Sequence, residues 1–253
     1  MGIVNFSLEG KVALVAGGSR GIGRASALAL AEAGADVVVS SRKLADLEPV
    51  AEEIGARGRR GLALAAHIAK IEESKDLVEK VKAEFGRIDI LMNNAGTNPY
   101  FGPILDAEEW AWDVTMNVNL KGPFLLSQMV ARVMREHGGG SIINTASVGG
   151  LRPGQSQGIY SVTKAGLIML TKVMATEWGQ YNIRVNAIAP GVIKTRLSEA
   201  LWKEPAIGDA AARRTSLGRL GESEDVAGAV VYLASDASSY VTGDTIVISG
   251  GVV

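Results

Sequence analysis

Seven short runs of apolar, largely β-branched residues recur at 12–16, 36–40, 62–66, 88–92, 141–145, 183–188 and 245–248, and they predict strands. Longer segments of helical period lie between them, near 21–33, 43–56, 70–85, 111–136, 158–179 and 223–235. These are long enough to act as crossover helices, which is what a parallel sheet requires. Runs that are apolar on both faces suit strands covered by helices on both sides, so the expected fold class is α/β, a doubly wound seven-stranded parallel sheet. No linker, charge block, repeat or low-complexity tract interrupts residues 1–253, so a single domain is expected. The least regular stretch, 191–221, predicts a mobile substrate loop with a short helix.

Composition narrows the chemistry. Lys and Arg total 26 against 27 Asp and Glu in 253 residues, so there is no basic field to hold a nucleic acid or an anionic membrane. A hydrophobic share of 47% with 21% charged residues fits a chain that buries a large core. Cysteine is absent, which removes disulfides, thiolate catalysis and cysteine-based metal sites. With only His67 and His137 as imidazoles, no metal centre is expected. The longest apolar stretches, such as 226–234, fall short of the roughly 18–20 residues of a membrane span. The opening residues lack a signal pattern, Phe6 spoils the lipidation match that Gly2 begins, and Gly251-Val252-Val253 is no peroxisomal address. A soluble cytoplasmic protein is expected.

Directly after the first strand comes Ala16-Gly17-Gly18-Ser19-Arg20-Gly21-Ile22-Gly23, opening into a helix. Gly17 permits a tight turn, Gly21 lets backbone N–H groups approach a pyrophosphate, and Gly23 allows close helix–strand packing. The positive end of the helix then favours the anion. An ordinary turn in a glycine-rich chain is the plainer alternative, but the placement between strand and helix points to a Rossmann-type nucleotide site. The second strand ends Ser40-Ser41-Arg42-Lys43, without the acid that would bind a ribose diol. Ser41 and Arg42 offer a hydroxyl and a guanidinium that suit a 2′-phosphate, and Arg20 adds a second cation. NADP(H) is therefore expected over NAD(H), unless Arg42 and Lys43 are only a solvated helix start.

Tyr160 and Lys164 stand four residues apart at a helix start, on one face. A phenol is a poor acid–base near neutrality unless a nearby positive charge stabilises its anion, and Lys164 can supply that charge. Ser147, at a strand end, can hydrogen-bond a carbonyl or alcohol oxygen at the sheet's ligand-binding edge.

These pieces together resemble the short-chain dehydrogenase/reductase family over nearly the whole chain. The resemblance rests on the glycine loop, Asn93-Asn94-Ala95-Gly96, Asn119, Ser147, Tyr160, Lys164 and the run from Pro190 through Thr195. Within the family, the segments at 40–43, 66–68, 98–102 and 193–202 are most similar to the NADP-dependent carbonyl reductase/retinol dehydrogenase branch. The resemblance implies hydride transfer between NADP(H) and a carbonyl or secondary alcohol. Tyr160 would be proton donor, Ser147 would orient the oxygen, Lys164 would lower the Tyr160 pKa and bind the nicotinamide ribose, and Asn119 would hold a water linking Lys164 to solvent. It further implies cofactor contacts from Ser19, Ile22, Ile68, Ala95, Pro190 and Gly191. Asn93 and Gly96 would line the adenosine, and Ile193 and Thr195 would hold the carboxamide.

Two departures stand out. Ala16 occupies a position where Thr often ties the loop down, which puts loop rigidity in question, and His67 replaces an Asp that commonly contacts adenine. His67 either takes over that contact or makes none; His137 is expected to cap a helix C-terminus. Tyr100, Phe101, Leu151, Leu197, Leu201 and Trp202 are candidates for an apolar substrate pocket, or else pack the loop against the body. By family analogy the long helices pair across a dimer axis, the last strand makes a second interface, and a homotetramer results. The alternatives are an NAD-dependent sugar or secondary-alcohol dehydrogenase and a non-catalytic nucleotide-binding regulator.

Overall fold

The computed structural model describes residues 4–252; Gly2 and Val253, named above, lie outside the described residues. Strands β1 (Val12–Ala16), β2 (Asp36–Ser41), β3 (Gly61–Ala65), β4 (Ile90–Asn93), β5 (Gly140–Thr145), β6 (Ile183–Pro190) and β7 (Thr245–Ile248) form one sheet. Its order is β3-β2-β1-β4-β5-β6-β7, with every pairing parallel. Period-two alternation sends successive residues to opposite faces. Ala13, Val15, Val37 and Val39 join one core with Leu28 and Leu30 of α1 (Gly21–Glu32) and Val226 and Val230 of α8 (Glu224–Ala234). Leu14, Val38 and Leu91 join another with Leu77 of α3 (Ile71–Phe85), Leu126 of α5 (Gly122–Glu136) and Met174 of α6 (Gly158–Trp178). Both faces are thus dry, which explains the near-continuous apolar runs. Because β1 has β2 on one side and β4 on the other, successive crossovers diverge there and leave a crevice at the C-terminal edge. Among the described residues no helix is long and apolar enough to cross a membrane.

The structure divides two of the expected helices. The segment 43–56 is a short 3₁₀ turn, Leu44–Asp46, followed by α2, Glu48–Gly55. Pro49 explains the restart: without an N–H it cannot return a helical bond to Ala45, so the turn at 44–46 does not run on as one helix, whereas proline fits the first turn of α2. The segment 111–136 is α4 (Glu109–Met116), a π turn over Asn117–Lys121, and α5. Pro123 has no N–H to return to the preceding turn, and the turn widens until Gly122 N–H reaches Asn117 O five residues back. Asn119 sits in that wide turn, fully buried. In the loop 191–221, a 3₁₀ turn (Glu199–Leu201) precedes α7, Pro205–Arg213.

Candidate active site

The glycine loop is fixed by close backbone approach. Gly17 has φ +89°, and a Cβ there would lie 2.5 Å from Ala95 N; one on Gly23 would lie 2.0 Å from Gly17 O. Neither position has room for a side chain. Gly17 and Gly18 donate their N–H groups to Ser40 O at 2.7 and 3.1 Å, and Asn94 Nδ2 donates to Gly17 O at 2.9 Å. These ties hold the loop although Ala16 brings no hydroxyl. Arg20 caps α1 in extended backbone without a side-chain bond, and the first turn holds no acid. The leading N–H groups of α1, half-buried at Gly21 and Ile22, are thereby left for an anion, which fits a dinucleotide pyrophosphate.

Ser147, Tyr160 and Lys164 converge on the same edge of the sheet. Ser147 follows β5, and its Oγ accepts from Gly149 N–H at 3.0 Å. A Cβ on Gly149 would lie 3.4 Å from that oxygen and 3.7 Å from Tyr160 Cε1, so serine and phenol flank one glycine. Lys164 is 3% exposed, and its Nζ donates to Thr145 O at 2.6 Å while standing 5.6 Å from the Tyr160 ring centroid. Burial of the amine pulls its pKa down to about 8. Burial pushes the Tyr160 phenol up, and the Ser147 hydroxyl opposes that shift. The net effect in the protein alone is therefore a rise and not the expected lowering: desolvation outweighs the Ser147 bond, and the phenol holds its proton at neutral pH.

Asn119 is not bonded to Lys164 directly. Its Oδ1 accepts from Thr97 N–H at 2.8 Å, and its Nδ2 donates to Thr97 O at 2.8 Å and Thr163 Oγ1 at 3.2 Å. Both Asn119 Oδ1 and Lys164 Nζ border Gly96, at 3.6 and 3.7 Å from where its Cβ would be. Asn93 differs from its expected placement. Its side chain is 2% exposed and donates to Ser127 Oγ and Asn144 Oδ1, both at 2.8 Å, so strand alternation turns it into the core beneath α5. The next residue faces the crevice instead: Asn94 bridges Gly17 O and Thr145 Oγ1, the latter donating to Asn94 Oδ1 at 3.3 Å. Asn94 and Thr145 thus link the glycine loop to the Lys164 anchor. Alternation along β4 was the signal that could have assigned Asn94 this position.

Along the rest of the edge, Ser19 is half-buried and Arg20 exposed. Ser41 is half-buried with its Oγ 3.5 Å from Lys43 O, Arg42 is exposed, and neither Arg20 nor Arg42 has an ion-pair partner among the described residues. His67 Nδ1 accepts from Ala69 N–H at 3.2 Å, which leaves Nε2 to carry the proton. Ile68 packs into the core beside α5, and its carbonyl accepts from Ser74 Oγ at 3.4 Å, which leaves its backbone N–H for a ligand. Ala95 N–H is bonded to Ala16 O at 2.8 Å. Pro190 ends β6, Gly191 N–H donates to Ile248 O at 2.9 Å, and buried Ile193 pairs with Gly221. Thr195 faces the glycine loop, its Cγ2 3.1 Å from the Cβ position of Gly21.

Of the apolar candidates, Phe101, Leu151 and Leu197 are exposed, whereas Tyr100 spends its hydroxyl on Pro103 O at 2.7 Å and Trp202 turns back to Thr195 O at 3.2 Å. His137 caps α5, with Nδ1 2.9 Å from Val133 O.

A family model described as enoyl-(acyl carrier protein) reductase matches residues 16–253. The chain is 42% identical over 244 residues to dehydrogenase/reductase SDR family member 4 of Sus scrofa, covering 96% of this chain and 88% of that protein. A gluconate 5-dehydrogenase from Burkholderia cenocepacia J2315, in complex with NADP and tartrate, superposes with TM-score 0.94 at 37% identity, covering 98% of this chain and 97% of that one. An NAD⁺-bound xylitol dehydrogenase gives TM-score 0.90 at 30% identity, covering 96% and 99%. Sheet order, glycine cradle and sequence likeness agree over nearly the full length, and the chain belongs to the short-chain dehydrogenase/reductase family of NAD(P)-dependent oxidoreductases.

Proposed function

We propose that the protein is a cytoplasmic carbonyl reductase that exchanges hydride between NADP(H) and a ketone or secondary alcohol, with Tyr160 as its acid/base. The observation that carries this reading is the phenol of Tyr160, proton-bearing at neutral pH and flanked by Ser147 and buried Lys164. When bound, the nicotinamide supplies or takes up the hydride. Tyr160 O–H gives its proton to the carbonyl oxygen, and Ser147 holds that oxygen by hydrogen bonding. Lys164 holds the ribose and, by its charge, stabilises the phenolate that Tyr160 becomes once its proton has gone. Ser41 and Arg42, with no acid at the end of β2, support NADP(H) over NAD(H).

Exposed Phe101, Leu151 and Leu197 support an apolar or aromatic substrate. The competing reading is an NAD-dependent sugar or polyol dehydrogenase, which draws on likeness to the gluconate and xylitol enzymes. Exposed Val162, Met169 and Val173 on α6 and Trp110, Trp112 and Val114 on α4 support a homotetramer in which these helices are covered. The test is a ketone and alcohol panel run with both cofactors, with light scattering for the assembly. Reduction of aryl or medium-chain ketones with NADPH is expected; turnover restricted to polyols with NAD⁺ would overturn the reading.

A further inference from the structure

One hydroxyl joins the wide turn that carries Asn119 to the helix that carries Tyr160 and Lys164. Thr163, fully buried on α6, accepts from Asn119 Nδ2 at 3.2 Å and donates to Tyr160 O at 2.7 Å. Its single hydrogen is therefore spent on the backbone of the reacting tyrosine. Asn119 divides its two amide hydrogens between Thr163 and Thr97 O, and its Oδ1 accepts from Thr97 N–H at 2.8 Å. One lone pair of Oδ1 is left, on an oxygen that borders Gly96 together with Lys164 Nζ. The bonds to Thr97 fix the amide to the loop after β4. Among the described residues, Thr163 alone ties it to α6 by a side-chain hydrogen bond. Valine would fill nearly the same space, so packing gives no reason for a hydroxyl at this buried position.

We propose that Thr163 is a positioning residue for proton return: it holds the Asn119 amide at a set distance from Tyr160 and Lys164. This rests on the reading above, in which Tyr160 loses a proton at each reduction and must regain one before the next. The water that Asn119 would hold brings that proton toward Lys164 and the phenol. Without the Thr163 hydroxyl, one hydrogen of Asn119 Nδ2 is buried without an acceptor, and the amide shifts to find another. Oδ1 then leaves its place beside Lys164, whereas the glycine loop is untouched. Proton supply slows while the cofactor binds as before.

Ketone reduction by the full chain with its preferred cofactor, the active sites counted by cofactor titration, tests this. Thr163→Val is expected to lower kcat about five- to ten-fold, the size of one neutral hydrogen bond, and to leave cofactor affinity within about two-fold. The solvent deuterium isotope effect on kcat is expected to grow, because return of the proton now limits the cycle; a merely loosened fold would not move it. Thr163→Ser restores the hydroxyl and is expected to recover most of the loss. In an Asn119→Ala background, Thr163→Val is expected to add nothing. Should valine prevent folding, Thr163→Cys, whose thiol occupies the space but accepts only weakly, is expected to show the same split. Equal losses of kcat and cofactor affinity, an unchanged isotope effect, or additive losses with Asn119→Ala would each overturn the proposal. A parent that reduces ketones beside a Thr163→Val variant of equal rate sinks this inference alone. A parent without ketone turnover, or a Tyr160→Phe variant that keeps the parent's rate, sinks the functional reading and this inference with it.

Discussion

Lys164 Nζ lies 2.6 Å from the carbonyl oxygen of Thr145, and the Thr145 hydroxyl in turn bonds Asn94, which holds Gly17. The Lys164 amine beside the Tyr160 phenol and the glycine loop are therefore parts of one hydrogen-bonded chain across the ends of β1, β4 and β5. Shifting either end displaces the other, which matters because hydride and proton must reach adjacent atoms of one substrate.

Burying Lys164 costs stability, and the cost depends on pH. The amine titrates at about 8 in the native state against 10.5 ordinarily, so between those values the unfolded chain binds more protons and native stability rises with pH. Below pH 8 the whole penalty, about 3 kcal/mol, is carried. Lys164→Met removes it but leaves Thr145 O without a donor, a loss of about 1–3 kcal/mol. The variant is expected to equal or exceed its parent in stability at pH 7, with the difference moving in the parent's favour as pH climbs from about 8 to 10. Urea unfolding at pH 7, 9 and 10 checks this; a difference that moves the other way would contradict the burial of a charged amine.

Activity should follow the same titration. Tyr160 keeps its proton through neutral pH, so under the proposed mechanism the group expected to limit reduction on the alkaline side is Lys164, at about 8. The kcat/KM for a ketone is expected to be level from pH 6 to 7.5 and to decline above about 8 with the loss of one proton. Tyr160→Phe is expected to lower kcat about a hundred- to ten-thousand-fold at every pH, the usual worth of a positioned acid. Steady-state rates across pH 6–10 decide the matter, and a decline that persists in Lys164→Met would reassign the titration.

Much of this was legible from the chain alone. All seven strands are read from their apolar runs, because burial on both faces leaves an unambiguous signal. The glycine loop is legible because sterics permit little else at Gly17 and Gly23. What escaped depends on tertiary geometry. Asn93 and Asn94 are chemically identical neighbours, and only the pleat decides which meets the core. The break at 117–121 follows from Pro123 meeting a buried turn, not from any change in helical period. The sign of the Tyr160 shift is set by how much water the folded cleft excludes, and sequence spacing carries no measure of that.

The Asn94 link makes a separate claim. Asn94→Ala removes two hydrogen bonds and leaves Gly17 O, which lies under the loop, without its side-chain donor. A loss of about 1–3 kcal/mol follows, which for a chain of this size corresponds to roughly 2–10 °C in Tm. Cofactor affinity is expected to fall as well, because the tie that compensates for Ala16 is gone. Differential scanning calorimetry with and without NADPH reads both effects. An unchanged Tm would mean that the backbone bonds of Gly17 and Gly18 to Ser40 suffice.

Arg42 tests which cofactor the site selects. It is exposed at the end of β2, without an ion-pair partner among the described residues, so its guanidinium can meet a phosphate without first breaking another contact. A charge-assisted bond to a 2′-phosphate is strong, yet solvent screens an exposed pair. Arg42→Ala is therefore expected to weaken NADPH about ten-fold, and to leave NADH within about two-fold because NADH offers nothing for the guanidinium to hold. Raising the salt concentration is expected to erode the parent's preference in the same direction, since the contact is ionic. Fluorescence titration of both cofactors against parent and variant measures the two ratios. If NADPH and NADH lose affinity equally, Arg42 is a solvated helix-start residue, and the 2′-phosphate must be recognised by Ser41 and Arg20 or not at all.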